Sequence, residues 1–318
     1  MIHIVVTGAA GFIGSNLCEA LLSAGHSVTG VDSYDPFYDR IVKERWIESL
    51  SLHPNFRFFE SDICAAAENH VWLQDAEAVV HLAALAGVRS SVSDAPRYMD
   101  VNVGGTTSVL EACVRMSVPR FVYASSSSVY GERGNGRFEE TDSQLEPVSP
   151  YGVSKYAGEL MSQVYARLHG LSVAALRFFS VYGPRQRPDQ AIFRFVATML
   201  DGKPVECFGD GSTERDYTHI DDVIAGILGS LDWVGKGSPD FQVFNIGSGC
   251  SVMLADLLEM LGELIGEPAS IDEVERPSVD VSHTCASIDK ARAVLGYVPR
   301  VRIEDGLARF KEWYEVTY

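Results

Sequence analysis

Tyr151 and Lys155 stand four residues apart in the run Ser149-Pro-Tyr-Gly-Val-Ser-Lys155, and this pair is the strongest candidate for proton chemistry in the chain. On a helix, a spacing of four sets two side chains on one face, so the ammonium can lower the phenol's pKa. An ordinary Tyr is a poor base near neutral pH, and lowering its pKa makes it a usable one. Ser149 has the chemistry of an N-cap and Pro150 suits a first turn, which predicts a helix opening at this pair. A possible hydroxyl partner lies upstream in Ser125-Ser-Ser-Ser128-Val-Tyr-Gly, directly after the strand pattern Arg120 to Ala124.

A second constellation sits near the start. The strand pattern Ile2 to Val6 runs into Gly8-Ala-Ala-Gly11-Phe-Ile-Gly14, inside which a helical pattern begins. Glycines without Cβ let backbone amides close on a pyrophosphate, and a helix N-terminus favours negative charge. The strand–turn–helix setting makes this a dinucleotide site. Asp32 closes the second strand pattern, where a carboxylate accepts hydrogen bonds from both ribose hydroxyls and repels a 2′-phosphate. No Arg adjoins it, so NAD is expected over NADP.

The elements that position these groups follow from the wider pattern. Short β-branched runs recur at Ser27 to Val31, Ala78 to His81, Arg120 to Ala124, Val173 to Phe178 and Phe241 to Ile246, alternating with helical patterns. That alternation predicts an α/β fold, a doubly wound parallel sheet of Rossmann type, with a smaller C-terminal substrate domain. The expected NAD-binding domain comprises residues 1–179 and 219–246, and the nucleotide-sugar domain residues 180–218 and 247–318. The segment Ser33 to Glu60, rich in aromatics and charges, reads as loop and short helix, and Phe179 to Thr218 as irregular. Helices are expected at Gly14 to Ala24, Asp221 to Trp233 and Leu254 to Ile265.

Composition narrows the partners. With 43 acidic against 26 basic residues the formal net charge is −17, which repels nucleic acid and anionic lipid at long range. No stretch approaches a membrane span and no basic leader precedes the first strand, so a cytoplasmic protein is expected. Six cysteines without a CxxC and eight histidines without ligand spacing give no sign of disulfides or a metal.

The GxxGxxG spacing, Asp32, the serine run and Tyr-x-x-x-Lys together resemble the NAD-dependent extended short-chain dehydrogenases/reductases. That resemblance implies Ser126 as hydroxyl partner of Tyr151, with Lys155 completing the catalytic set. It also implies that Gly8, Gly11, Phe12, Ile13, Gly14, Asp32, Asp62, Ile63, Leu82, Ala83, Ala84, Asn102 and Phe178 hold or support NAD. The stretch Leu176-Arg-Phe-Phe-Ser180-Val-Tyr-Gly-Pro-Arg185-Gln-Arg187 resembles nucleotide-sugar epimerases, as does Phe208-Gly-Asp-Gly with Arg215-Asp-Tyr-Thr-His-Ile-Asp-Asp. By this likeness Ser180, Arg187, Phe208, Arg215 and Arg276 contact the sugar, uridine or diphosphate. Arg215 is a natural phosphate ligand because its guanidinium is always charged and bidentate. Ser127 and Ser128 stand where related dehydratases and decarboxylases carry an acidic neighbour, which favours epimerisation. The runs Asp32-Ser-Tyr-Asp-Pro-Phe-Tyr-Asp-Arg with Lys43 and Arg45, and Ala86-Gly-Val-Arg89-Ser-Ser, are most similar to the UDP-glucuronate 4-epimerases. The implied protein is a homodimer acting on a UDP-sugar through a 4-keto intermediate on retained NAD. UDP-glucose is the rival substrate, and an NAD(H)-sensing regulatory protein on the same fold is the alternative of another class.

Overall fold

The computed structural model describes residues 1–134, 136–236 and 240–318. Seven parallel strands form the central sheet. In chain order the first six are β1 (His3–Thr7), β2 (Ser27–Asp32), β3 (Phe56–Glu60), β4 (Ala78–His81), β5 (Arg120–Ser126) and β6 (Ser172–Phe178), followed by the Phe241–Ile246 strand. Across the sheet the order is Phe241–Ile246, β6, β5, β4, β1, β2, β3. The order reverses between β1 and β4, where a doubly wound sheet opens a crevice beyond its strand ends.

The apolar strand patterns are continuous because both faces are covered. In β1, Ile4 and Val6 join the core against the helix Phe12–Ser23 and the helix Ile220–Val234. Val5, between them, points to the opposite core, with Val109 and Leu110 of Thr106–Arg115 and Tyr165 and Ala166 of Pro150–His169. A separate core gathers Tyr182, Phe193, Val196, Val205, Leu257, Leu261, Leu307 and Phe310, drawn from the stretch after β6 and from the chain's C-terminal part.

Two segments depart from the sequence expectation. Within Ser33 to Glu60 the chain makes a twelve-residue helix, Arg40–Ser51, capped by Asp39, and then the sheet strand β3. Phe-Arg-Phe-Phe-Glu does not read as a buried strand because it lies at the sheet edge, paired only with β2 and partly solvated. The stretch expected to be irregular contains the helix Ala191–Leu200 and a strand, Val205–Phe208, that pairs with Ile271–Val274. That pairing joins residues far apart in sequence, which local patterns cannot reveal.

Candidate active site

The crevice is a cavity of about 1020 Å³ that takes walls from both halves of the chain. Its first wall is backbone. After β1 the chain turns at Gly8, with φ of +73°, and the amides of Gly8 and Ala9 donate to Val31 O at 2.8 and 3.2 Å, seating the loop on β2. A Cβ on Gly8 would lie 2.8 Å from Ala83 N, and one on Gly14 only 2.0 Å from Gly8 O. The sequence can pass here only without side chains. The helix Phe12–Ser23 then starts with no side-chain cap at Gly11, leaving its first amides for a ligand.

Asp32 lies at the end of β2, half-buried, accepting from Ala10 N at 3.0 Å and Tyr34 N at 2.8 Å. Burial pushes its carboxyl pKa up; the two amides and the Lys43 ammonium oppose this. The carboxylate is therefore fixed beside the glycine turn, on the cavity wall. An amide-lined turn, an open helix start and a fixed carboxylate are the donor and acceptor set for a dinucleotide with a free 2′-hydroxyl, so these residues fit NAD.

The expected positions Gly8, Gly11, Phe12, Ile13, Gly14, Asp32, Asp62, Ile63, Leu82, Ala83, Ala84 and Phe178 all line the cavity. Asn102 is the exception. It is buried one layer behind, in a π-helical stretch Met99–Gly105, where its amide grips Leu85 N and O at 2.8 and 2.9 Å and Ser154 Oγ at 2.9 Å. It braces the loop after β4 against the Tyr151 helix. His81, beneath the same loop, bridges Thr7 and Thr106 and is held neutral by burial, its pKa lowered to about 3.

The catalytic candidates Ser126, Tyr151 and Lys155 line the same cavity. Ser149 Oγ accepts from Gly152 N at 3.1 Å, capping the helix Pro150–His169, whose first turn carries Tyr151. Ser126 ends β5, its Oγ 3.1 Å from Ser128 Oγ and within hydrogen-bonding reach of Tyr151. The expected depression of the phenol by Lys155 is not what the geometry gives. Burial raises the Tyr151 pKa, and the opposing influences are the Ser126 hydroxyl and the Arg187 guanidinium. Lys155 instead donates to Ala124 O at 2.8 Å, and its Nζ lies 5.9 Å from the Tyr151 ring centroid. Burial brings the Lys155 pKa down to about 7, so its charge is weakly held.

Arg89, Ser126, Ser127, Ser128, Ser180, Arg187, Phe208 and Arg215 also line the cavity. Their arginines are already engaged. Arg187 makes a two-pronged bond to Asp189 at 2.9 and 2.7 Å and lies over Phe37. Arg215 pairs with Asp280 at 2.7 Å. Arg89, exposed, stacks on Phe208 with its Cζ 4.5 Å from the ring centroid. Arg276 lies outside the lining of the cavity, and its guanidinium donates to Asp280 O at 3.1 and 2.6 Å. It orders the segment that supplies Arg215's partner.

Sequence reasoning did not single out Arg97, Gln186, Gln190, Arg194 or Asp280, all on the wall. It noted Lys43 only as part of a resemblance, whereas the structure buries it, Nζ on Asp35 O at 2.5 Å, beside Asp32. Charged residues in loops carry no periodic signal, so only their spatial convergence marks them.

Over residues 4–247 the sequence matches the NAD dependent epimerase/dehydratase family. It is 38% identical over 314 residues to a UDP-glucuronate 4-epimerase of Thermodesulfobacterium geofontis, covering 98% of this chain and 95% of the relative. The crystal structure of the UDP-glucuronic acid 4-epimerase from Bacillus cereus with UDP-glucuronic acid and NAD is similar at a TM-score of 0.93 and 39% identity, over 100% of both chains. DesIV, a dTDP-glucose 4,6-dehydratase from Streptomyces venezuelae solved with NAD, follows at 0.91 and 32%, covering 99% of this chain and 98% of its own.

Proposed function

Since the chain belongs to the NAD dependent epimerase/dehydratase family, we propose that it is an NAD-dependent isomerase that inverts C4 of UDP-glucuronate to give UDP-galacturonate. The observation that carries this reading is one cavity walled both by the Gly8–Gly14 turn with Asp32 and by Ser126, Tyr151 and Lys155 together with Ser127, Ser128, Ser180 and Arg187. An NAD(H) sensor has no use for that second set.

The glycine turn, Asp32 and Lys155 would hold NAD. When bound, NAD supplies a reversible hydride acceptor, which lets C4 become a ketone and then an alcohol again. Tyr151 is the base for the 4-hydroxyl proton: burial opposes its deprotonation, the Ser126 hydroxyl and the Arg187 guanidinium favour it, and Ser126 would hold the same sugar oxygen by a hydrogen bond. After the sugar presents its other face, Tyr151 returns the proton. The chain must also guard the intermediate. A 4-keto glucuronate is a β-keto acid, which loses CO2 when its carboxylate bond aligns with the carbonyl π system. Ser127, Ser128, Ser180 and Arg187 offer donors that keep the carboxylate charged and out of alignment.

UDP-glucose is the second reading, and the pairing of Arg187 with Asp189 favours it, because a neutralised guanidinium holds a carboxylate less firmly. The domain division, with residues 180–218 and 247–318 on the sugar side, belongs to the same proposal. So does a homodimer: Val153, Leu160, Val164 and Leu168 leave an exposed apolar stripe along the Pro150–His169 helix. A cytoplasmic setting is proposed alongside; among the described residues no helix is long and apolar enough to cross a membrane.

Incubating the purified protein with UDP-glucuronate and UDP-glucose, without added NAD, and reading products by NMR tests the reading. UDP-galacturonate as the main product is expected. Turnover of UDP-glucose alone would overturn the substrate, and accumulation of NADH with a need for external NAD would overturn the reaction.

A further inference from the structure

Behind the reacting groups lies a buried charge cluster to which the mechanism assigns no part. Glu159, 2% exposed, accepts from Arg177 Nε at 2.9 Å and Nη2 at 2.8 Å, and from Ser125 Oγ at 2.5 Å. Arg177, 3% exposed, lies with its Cζ 4.7 Å from the Tyr130 ring centroid, and Tyr130 OH donates to Asn245 Oδ1 at 2.7 Å. Three elements meet at this carboxylate: β5 through Ser125, β6 through Arg177 and the Pro150–His169 helix through Glu159.

Each member stands next to a residue of the site. Ser125 precedes Ser126, Arg177 precedes Phe178, and Glu159 follows Lys155 by one helical turn. In the sheet, Ser125 is the register partner of Arg177, and Ser126 that of Phe178. Side chains alternate across a strand, so Ser125 and Arg177 turn to the helix side while their successors turn away. The strand ends and the helix are thereby tied through one carboxylate.

Stability alone is a weak reason for such a cluster. A buried ion pair loses much of its attraction to desolvation, and well-packed apolar residues of similar volume often match or exceed it. Apolar packing is not directional, whereas a bidentate guanidinium–carboxylate pair fixes angle as well as distance. We infer that Ser125, Glu159 and Arg177 form a positioning triad, which sets Ser126 and Phe178 against Tyr151 and Lys155 for the chemistry at C4. This rests on the proposed epimerase reading.

The test replaces the pair by apolar residues, Glu159→Leu with Arg177→Met, in the protein carrying its bound NAD. Thermal unfolding, NAD content, KM and kcat are measured with whichever UDP-sugar the parent epimerises, together with the effect of deuterium at C4. A wrong substrate reading shows in the parent, whereas a wrong positioning role shows only in the variant-to-parent ratio. The expected result is parent-like unfolding, NAD content and KM, with kcat lower by about tenfold to hundredfold, the scale of a sub-ångström to ångström misplacement. The deuterium effect on kcat should rise, because the slowed step is the chemistry. A folded double variant with parental kcat overturns the proposal. Should that variant fail to fold, Ser125→Ala decides, since it removes one hydroxyl and leaves the ion pair. A lower kcat at unchanged KM then supports the triad, and parental kcat overturns it.

Discussion

The two walls of the cavity are built on different principles. On the cofactor side, seven consecutive residues and one carboxylate do most of the work, and they do it with backbone: amides seated on Val31 O and an uncapped helix start. On the wall proposed for the sugar the groups are side chains from five separated stretches, around residues 89, 126–128, 180–187, 208 and 215. Two of its guanidiniums, those of Arg187 and Arg215, already hold Asp189 and Asp280. A backbone cradle changes little between free and bound states, so it suits a cofactor kept through every turnover. Paired guanidiniums must exchange one anion for another, which suits a ligand that enters, turns and leaves.

Four variants probe this contrast. Tyr151→Phe should separate the walls most sharply. Fold and NAD content should persist while turnover falls by at least about a hundredfold, the scale of a lost general base; near-normal turnover would remove Tyr151 from its role. Asp32→Ala acts on the cofactor wall alone. It should weaken NAD binding by roughly tenfold or more, as expected for lost hydrogen bonds to a charged group, and narrow the preference over NADP. Titration of the stripped protein with both dinucleotides measures this, and unchanged affinity for both would break the assignment.

Arg187→Ala touches the sugar wall. Epimerisation should fall and the share of CO2 and 4-keto pentose product should rise, as measured by NMR. A constant product ratio would mean that the Asp189-bound guanidinium does not restrain the carboxylate. The smallest effect concerns Lys155, at the junction of the walls. Its ammonium is lowered by burial from an ordinary 10.5 to about 7. Between those values the unfolded chain binds more protons than the folded one, so stability rises with pH across that window. Below it both states are charged and the cost of the buried charge is fully present. In NAD-free protein, Lys155→Met should therefore raise the unfolding temperature most below pH 7, with the gain shrinking as pH climbs toward 10. A pH-independent difference would show that this charge is not buried as the geometry implies.

The same contrast governs what could be read in advance. The helix carrying Tyr151 and Lys155 and its Ser149 cap were legible because cap, proline and spacing act within a few residues. The edge strand Phe56–Glu60 was not, since a half-solvated strand with Arg and Glu in it lacks a clean period. The helix Ala191–Leu200 was also hidden, lying between Pro-rich and Gly-rich turns whose loop signals dominate the local pattern. The bond of Arg276 to Asp280 O was not legible either, because a likeness in sequence says nothing of which partner a guanidinium finds in the folded chain.

By itself the sequence determined the glycine turn, the acidic end of β2, the order of the parallel strands' apolar runs and the candidate proton-transfer pair. These follow from sterics, propensity and periodicity, which operate between near neighbours along the chain. Only the tertiary structure decided that Lys155 would reach Ala124 O rather than the phenol, that Asp189 and Asp280 would occupy the cavity arginines, and that Ser125, Glu159 and Arg177 would meet behind the site. Those are contests between charges for partners brought together by packing, and a buried charge takes the partner that geometry puts within reach.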